Sequence, residues 1–144
     1  MGMALTSCTP PAKGSPLFEL GDDEMEMGVG IHGEPGRRRE KLADANAIVD
    51  ELVEAVASDG PYSSGDDVAL MINGLGGTPI SELYILYGRA HDQLKGRGLN
   101  VTRSYVGEYC TSLDMAGASL TLVKLDDELV RLLEAPAEVA VRIF

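Results

Sequence analysis

Apolar and polar residues alternate from Met25 to His32, in the run Met-Glu-Met-Gly-Val-Gly-Ile-His, and put Met25, Met27, Val29 and Ile31 on one face. A period of two predicts a strand with one buried side. Gly28 and Gly30 leave the opposite face thin, and glycine in a strand often marks the close approach of a ligand or another backbone. Gly33-Glu34-Pro35-Gly36 then predicts a turn. From Asp44 to about Ala57 the period changes to that of a helix. Ala45, Ile48, Val49, Leu52, Val53 and Val56 form its stripe, Asp44 caps it, and Asp59-Gly60-Pro61 stops it.

Asp67 to Asn73 is a nearly continuous apolar run of strand length, the pattern of a strand covered on both faces. A glycine-rich turn, Gly74-Leu75-Gly76-Gly77, leads into Thr78-Pro79, read as N-cap and first helical residue. The helix that follows is expected to bury Ile80, Leu83, Tyr84, Tyr87, Ala90 and Leu94 and to end at Gly96-Arg97-Gly98. Leu99 to Val106 and Ala118 to Leu125 read as two further strands. Asp126 caps a short last helix with Leu129, Leu132 and Leu133. The order β-α-β-α-β-β-α predicts an α/β fold: a mixed β-sheet with helices packed on it, in a single compact domain. Residues 1–18 read as a leading strand and loop, and residues 19–144 as the α/β unit itself. The closing Ala135-Pro136-Ala137 and its short apolar tail read as the exit from the last helix.

Composition narrows the function more than the fold. The 144 residues carry a net charge of −11, which argues against nucleic acid or an anionic membrane as a partner. The one basic run, Arg37-Arg38-Arg39, meets Glu40 at once and reads as a solvated loop or helix start, or else as an anion or partner contact. No stretch of about 18 apolar residues is present to span a membrane, and the first residues lack a signal-peptide pattern. Cys8 and Cys110 show no metal-ligand spacing, so they are expected to be reduced, buried thiols of a cytoplasmic protein, and no metal site is expected.

His32 is the first candidate for chemistry. It ends a glycine-rich stretch, and neutral imidazole can act as base, metal ligand or nucleophile toward a carbonyl. A purely structural hydrogen-bonding role is the alternative. Glu34, two residues on, either orients the imidazole or points to water. His91 falls on the apolar stripe of its helix and reads as a core or interface residue. The Asn73–Thr78 loop leads to a helix start that could offer N–H groups to an anion, but it has neither a P-loop nor a dinucleotide fingerprint. A tight structural turn is the simpler reading. Asp114 is expected in a capped turn between strands.

The run Asp23 to Gly36, with Gly28-Val29-Gly30-Ile31-His32-Gly33-Glu34-Pro35-Gly36 at its heart, resembles the ketone-binding motif of the dihydroxyacetone kinase substrate-binding subunit. Three more blocks resemble that family in the same order. They are Asn73 to Pro79 with Ser81-Glu82-Leu83-Tyr84, Gly107 to Met115, and Ser119-Leu120-Thr121-Leu122 with Leu125-Asp126-Asp127-Glu128. The opening Ala4 to Thr9 resembles the junction where that subunit's second, carboxy-terminal subdomain begins.

The resemblance implies that His32 adds to the carbonyl of dihydroxyacetone and holds it as a hemiaminal, with Gly30, Gly33 and Glu34 around the substrate. Glycerol has no carbonyl to attack, which would explain selectivity. It also implies a phosphate donor, ATP with Mg or a phosphorylated ADP carrier, bound by a helical nucleotide-binding kinase subunit or domain and not by this chain. A homodimer is a further expectation. The family's first subdomain carries the acid/base aspartate and a second histidine, and those residues are not in this sequence. The chain is therefore expected to be a fragment, or a short protein completed by a partner. A non-catalytic ketone- or protein-binding regulatory module is the alternative, and a degenerate remnant with an unreactive His32 the blandest one. Ala135-Pro136-Ala137-Glu138-Val139-Ala140 stands where the family has Thr-Pro-Ala.

Overall fold

The computed structural model describes residues 1–32, 34–138 and 140. Its strands are β1 (Gly2–Ala4), β2 (Glu24–Met27), β3 (Arg38–Lys41), β4 (Asp67–Gly74), β5 (Asn100–Gly107) and β6 (Gly117–Lys124). Its helices are α1 (Ala45–Asp59), α2 (Ile80–Gly96) and α3 (Asp127–Leu133). The six strands form one sheet in the order β3-β2-β1-β6-β4-β5. Only β4 and β5 run parallel, joined through α2, and every other neighbouring pair is antiparallel. This is the mixed α/β sheet expected from the sequence.

Met25 and Met27 of β2, Val68, Leu70 and Ile72 of β4, and Ala118, Leu120 and Leu122 of β6 point to one side of the sheet. There they meet Ile48, Val49, Leu52 and Val53 of α1 and Leu83, Ala90 and Leu94 of α2. The period-two and period-3.6 stripes thus close on each other to form the main core. Asp44 caps α1 by accepting from the Ala47 N–H at 2.9 Å, and Asp126 caps α3 by accepting from the Leu129 N–H at 2.8 Å.

Several expectations change. The Met25–His32 strand stops at Met27, because Gly28 takes φ 83° and turns the chain out of the sheet. The basic run is neither loop nor helix start: Arg38 and Arg39 open β3, where Arg38 pairs with Glu40 and Glu51 and Arg39 with Glu26. The N-cap of α2 is Pro79 with no side-chain cap, since Thr78 is engaged elsewhere. Its hydroxyl donates to the Gly117 carbonyl at 2.6 Å and accepts from the Gly117 N–H at 2.8 Å, tying the loop to β6. Ile80 and Tyr84 lie exposed on α2, and half-exposed His91 faces the Tyr87 ring instead of the core. Cys8 is buried as expected, but Cys110 is exposed. The apolar tail beyond Pro136 falls partly outside the described residues.

Asn73, next to last in β4, is 1% exposed and uses its whole amide group. Its Nδ2 donates to the Cys110 carbonyl (2.9 Å) and to Ser119 Oγ (3.1 Å), while Oδ1 accepts from the Tyr109 and Cys110 N–H groups (2.8 Å each). The Gly107–Met115 connection is thereby fixed over the end of the sheet. Asn73→Ala would strand these partners, and an unpaired buried polar group costs about 1–3 kcal/mol. The expected outcome is a loss of about 2–3 kcal/mol in urea unfolding with an unchanged m-value; a loss below about 0.5 kcal/mol would mean that water replaces the amide.

Candidate functional site

Between Met27 of β2 and Arg38 of β3, paired as neighbours in register, the chain makes an excursion that carries His32. Its foot is closed by the backbone: the Arg37 N–H donates to the Met27 carbonyl at 2.7 Å, and the Gly28 N–H to the Gly2 carbonyl at 2.6 Å. Gly36 has no room for a side chain, because a Cβ there would run into the Met27 carbonyl.

Above the foot the excursion is anchored by burial. Val29 is 7% exposed and Ile31 half-buried, and both pack on a second apolar cluster of Ala4, Cys8, Leu75, Met115 and Phe18. Leu75 and Met115 come from the loops after β4 and before β6. Those loops are held together by the Ser112 N–H to Leu75 carbonyl bond and the Gly77 N–H to Met115 carbonyl bond, both 2.8 Å. The glycine-rich turn thus serves as a structural clasp. Asp114, expected in a capped turn, accepts from the Thr9 N–H at 2.7 Å and ties down the leading segment.

At the tip, Glu34 folds back on His32. Its Oε2 accepts from the His32 backbone N–H at 3.0 Å, and its Oε1 lies 2.8 Å from the ring Nδ1. Hydrogen bonds from its own backbone N–H and then from the His32 side chain hold the Glu34 carboxyl below its ordinary 4.5, outweighing slight desolvation. A carboxylate only accepts, so Nδ1 donates in this contact, and in the neutral ring that leaves the lone pair on Nε2. The His32 side chain is 80% exposed. Gly30 belongs to the same unit, since a Cβ there would collide with the Glu34 carboxylate.

The structure therefore brings His32, Glu34 and Gly30 together, while Gly33 lies outside the described residues. The ring faces open solvent and not a closed cleft. A cavity of about 630 Å³ lies at the foot of the excursion, lined by Gly28, Val29 and Arg37 with Tyr62 and the last turn of α1, and His32 is not among its lining residues. Among the described residues no cluster of three His, Cys, Asp or Glu could hold a metal ion, and no helix is long and apolar enough to cross a membrane. Sequence reasoning missed Asn73 and Thr78 as supports of the site. A polar residue ending an apolar strand, just before a glycine run, was the available signal for Asn73.

The sequence profile of the Dak1 domain matches residues 1–141, almost the whole chain. The chain belongs to the Dak1 domain family. Among curated relatives of this Dak1 chain, it is 48% identical over 128 residues to the dihydroxyacetone-binding subunit DhaK of PTS-dependent dihydroxyacetone kinase 1 from Listeria innocua. That match covers 89% of this chain and 39% of the relative. It is 46% identical over 141 residues to an L-erythrulose 1-kinase from Mycolicibacterium smegmatis, covering 95% of this chain and 25% of the other. Among solved structures, the dihydroxyacetone kinase operon co-activator Dha-DhaQ superposes with a TM-score of 0.86 at 36% identity, over 94% of this chain and 42% of that one. The Dak1 chain thus spans about two fifths, or less, of the length of these proteins.

The Glu34–His32 contact has a pH sign. A carboxyl whose folded-state pKa is lowered stabilises the tip above the ordinary value near 4.5 and loses that contribution as pH falls through the lower folded-state value. Carbon-detected NMR is expected to find the Glu34 midpoint below 4.5, moving up toward it in Gly30→Ala as the new methyl displaces the carboxylate. The displaced group is the end of a flexible exposed side chain, so global stability should change by no more than about 0.5 kcal/mol. An unmoved midpoint in the variant would mean that the methyl is accommodated without breaking the contact.

Proposed function

We propose that this domain is the ketone-holding part of a dihydroxyacetone-type kinase, and that His32 forms the bond to the substrate carbonyl. The observation that carries this reading is the contact of Glu34 with His32: its Oε1 lies 2.8 Å from Nδ1 on an exposed side chain, which in the neutral ring leaves the Nε2 lone pair free. A neutral imidazole fixed in this way is a nucleophile that needs no prior deprotonation.

The Nε2 lone pair forms a bond to the carbonyl carbon, and the carbonyl π pair moves onto oxygen. Oxygen takes a proton from water, and the ring, briefly an imidazolium, releases its Nδ1 proton through the Glu34 carboxylate to solvent. The product is a neutral hemiaminal. A triol such as glycerol offers no electrophilic carbon, so the same site discriminates against it by chemistry and not by size.

The names of the relatives support a short ketose as substrate, dihydroxyacetone in one case and erythrulose in another. Transfer to a terminal hydroxyl would draw on ATP with Mg, or on a phosphorylated ADP carrier, held by a helical nucleotide-binding subunit or domain. The open side of His32 suits completion by a further substrate subdomain that contributes the acid/base groups.

One observation favours a second reading. The good superposition on an operon co-activator supports a regulatory module that keeps the ketone and transfers no phosphate. Supplying a substrate subdomain with acid/base groups and a nucleotide-binding subunit would separate the two, since only the kinase reading yields phosphorylated ketone.

Binding itself is tested with dihydroxyacetone labelled with carbon-13 at its carbonyl. The expected outcome is a new tetrahedral-carbon signal with wild-type protein, absent in His32→Ala and without counterpart when labelled glycerol is used. A signal that survives His32→Ala would remove this histidine from the reaction.

A further inference from the structure

Among the described residues, Glu26 is the buried charged group: it is 8% exposed, while the other buried polar residues, Asn73 and Ser112, are neutral. It sits in the middle of β2, between Ala4 of β1 and Arg39 of β3, in the alternation Met25-Glu26-Met27. Met25 and Met27 fill the main core, so Glu26 projects from the opposite face. A buried carboxylate is costly, and an apolar residue of similar size would often serve stability as well or better. What Glu26 touches gives it another use.

Its Oε1 accepts from the Gly36 N–H at 3.0 Å, and its Oε2 lies 3.3 Å from Arg39 Nε. Gly36 is the penultimate residue of the excursion bearing His32, and Arg39 lies in β3 just beyond it. The bond therefore runs from the strand that enters the excursion to the residue that leaves it. Two neighbouring backbone bonds, Arg37 to Met27 and Gly28 to Gly2, close the same foot, but neither engages Gly36. A Cβ on Gly36 would press on the Glu26 side chain as well as on the Met27 carbonyl. The carboxylate has space beside it only because position 36 is glycine.

We propose that Glu26 is a positioning residue that sets the presentation of His32, with its carboxylate clamping Gly36 and so fixing the angle at which the tip leaves the sheet. It does not touch the ring. Val29 and Ile31 anchor the ascending side in the second apolar cluster, and Glu26 restrains the descending side, where Glu34 must fold back on His32. Loosening that side costs Glu34 its fixed approach to Nδ1. The consequence for ketone capture rests on the function proposed above, whereas the clamp itself does not.

The rival explanation is that Glu26 merely neutralises Arg39 across the β2–β3 pair. Glu26→Ala, Glu26→Gln and Arg39→Ala separate the two. Glutamine keeps a carbonyl oxygen for the Gly36 N–H, and Arg39→Ala keeps the whole clamp while removing the pair. Nitrogen-15 relaxation is read at residues 28–32, 34 and 36, together with capture of labelled dihydroxyacetone.

In Glu26→Ala, order parameters around His32 and Glu34 are expected to fall below about 0.6, the flexible range, with β4 unchanged. Capture is expected to weaken about tenfold, about 1.4 kcal/mol. Glu26→Gln should restore both, and Arg39→Ala should leave both near wild type. The proposal is overturned if Arg39→Ala loosens the tip as much as Glu26→Ala, if Glu26→Gln fails to rescue, or if Glu26→Ala leaves the tip rigid. Should Glu26→Ala fail to fold, the glutamine and Arg39 variants still decide between clamp and charge pair. If wild-type protein captures no ketone, the functional reading fails, and the order parameters alone judge the clamp.

Discussion

Strand β6, late in the chain, lies at the middle of the sheet, with β1 on one side and β4 on the other. Its register joins Gly2, Met3 and Ala4 to Ser119, Ala118 and Gly117, and Val68 through Gly74 to Lys124 through Ala118. This insertion is the constraint on which the other features depend. Without it, β1-β2-β3 and the β4-α2-β5 unit would be two small sheets, each too narrow to bury its apolar face. With it, Ala4, Leu75 and Met115, from three distant stretches, gather into the cluster on which Val29 and Ile31 rest.

The candidate site is built outward from that cluster. The excursion from β2 to β3 is short of regular structure, so backbone hydrogen bonds at its foot and two apolar side chains partway up give it shape. The tip is then left with a local contact, Glu34 on His32, that is exposed and worth little in stability. Its consequence is chemical: a carboxylate at Nδ1 favours the neutral ring with its lone pair on Nε2. In such a division the scaffold bears the energetic cost of order and leaves the imidazole accessible.

Much of this was legible in residue order. Both helices with clear stripes, α1 and α2, and three strands, β4, β5 and β6, follow from periodicity and punctuation near the observed boundaries. The blocks around His32, Asn73, Cys110 and Leu120 pointed to the family, and the family match bears this out. Strand β3 was not legible, since Arg38-Arg39-Glu40-Lys41 has no apolar alternation. It is a charged outer strand, held by pairing with β2 and by ion pairs that no local pattern reveals. Ile80 and Tyr84 fit the helical stripe of α2 yet lie exposed, while Leu83 in the same turns is fully buried, so the covered face is narrower than the stripe suggests.

The sequence by itself determined the α/β class, the capped starts of α1 and α3, and a histidine flanked by glycines with a glutamate two residues on. These are local properties, governed by side-chain period, backbone freedom and hydrogen bonding between near neighbours. Tertiary structure decided that the alternating run leaves the sheet at Gly28, that Asn73 and Thr78 serve loops far along the chain, and that Glu34 turns toward His32 and not to water. The physical reason is register. Which residue lies opposite which across β1, β6 and β4 is fixed by contacts distant in sequence, and only that choice places the foot of the excursion, and with it the imidazole, in space.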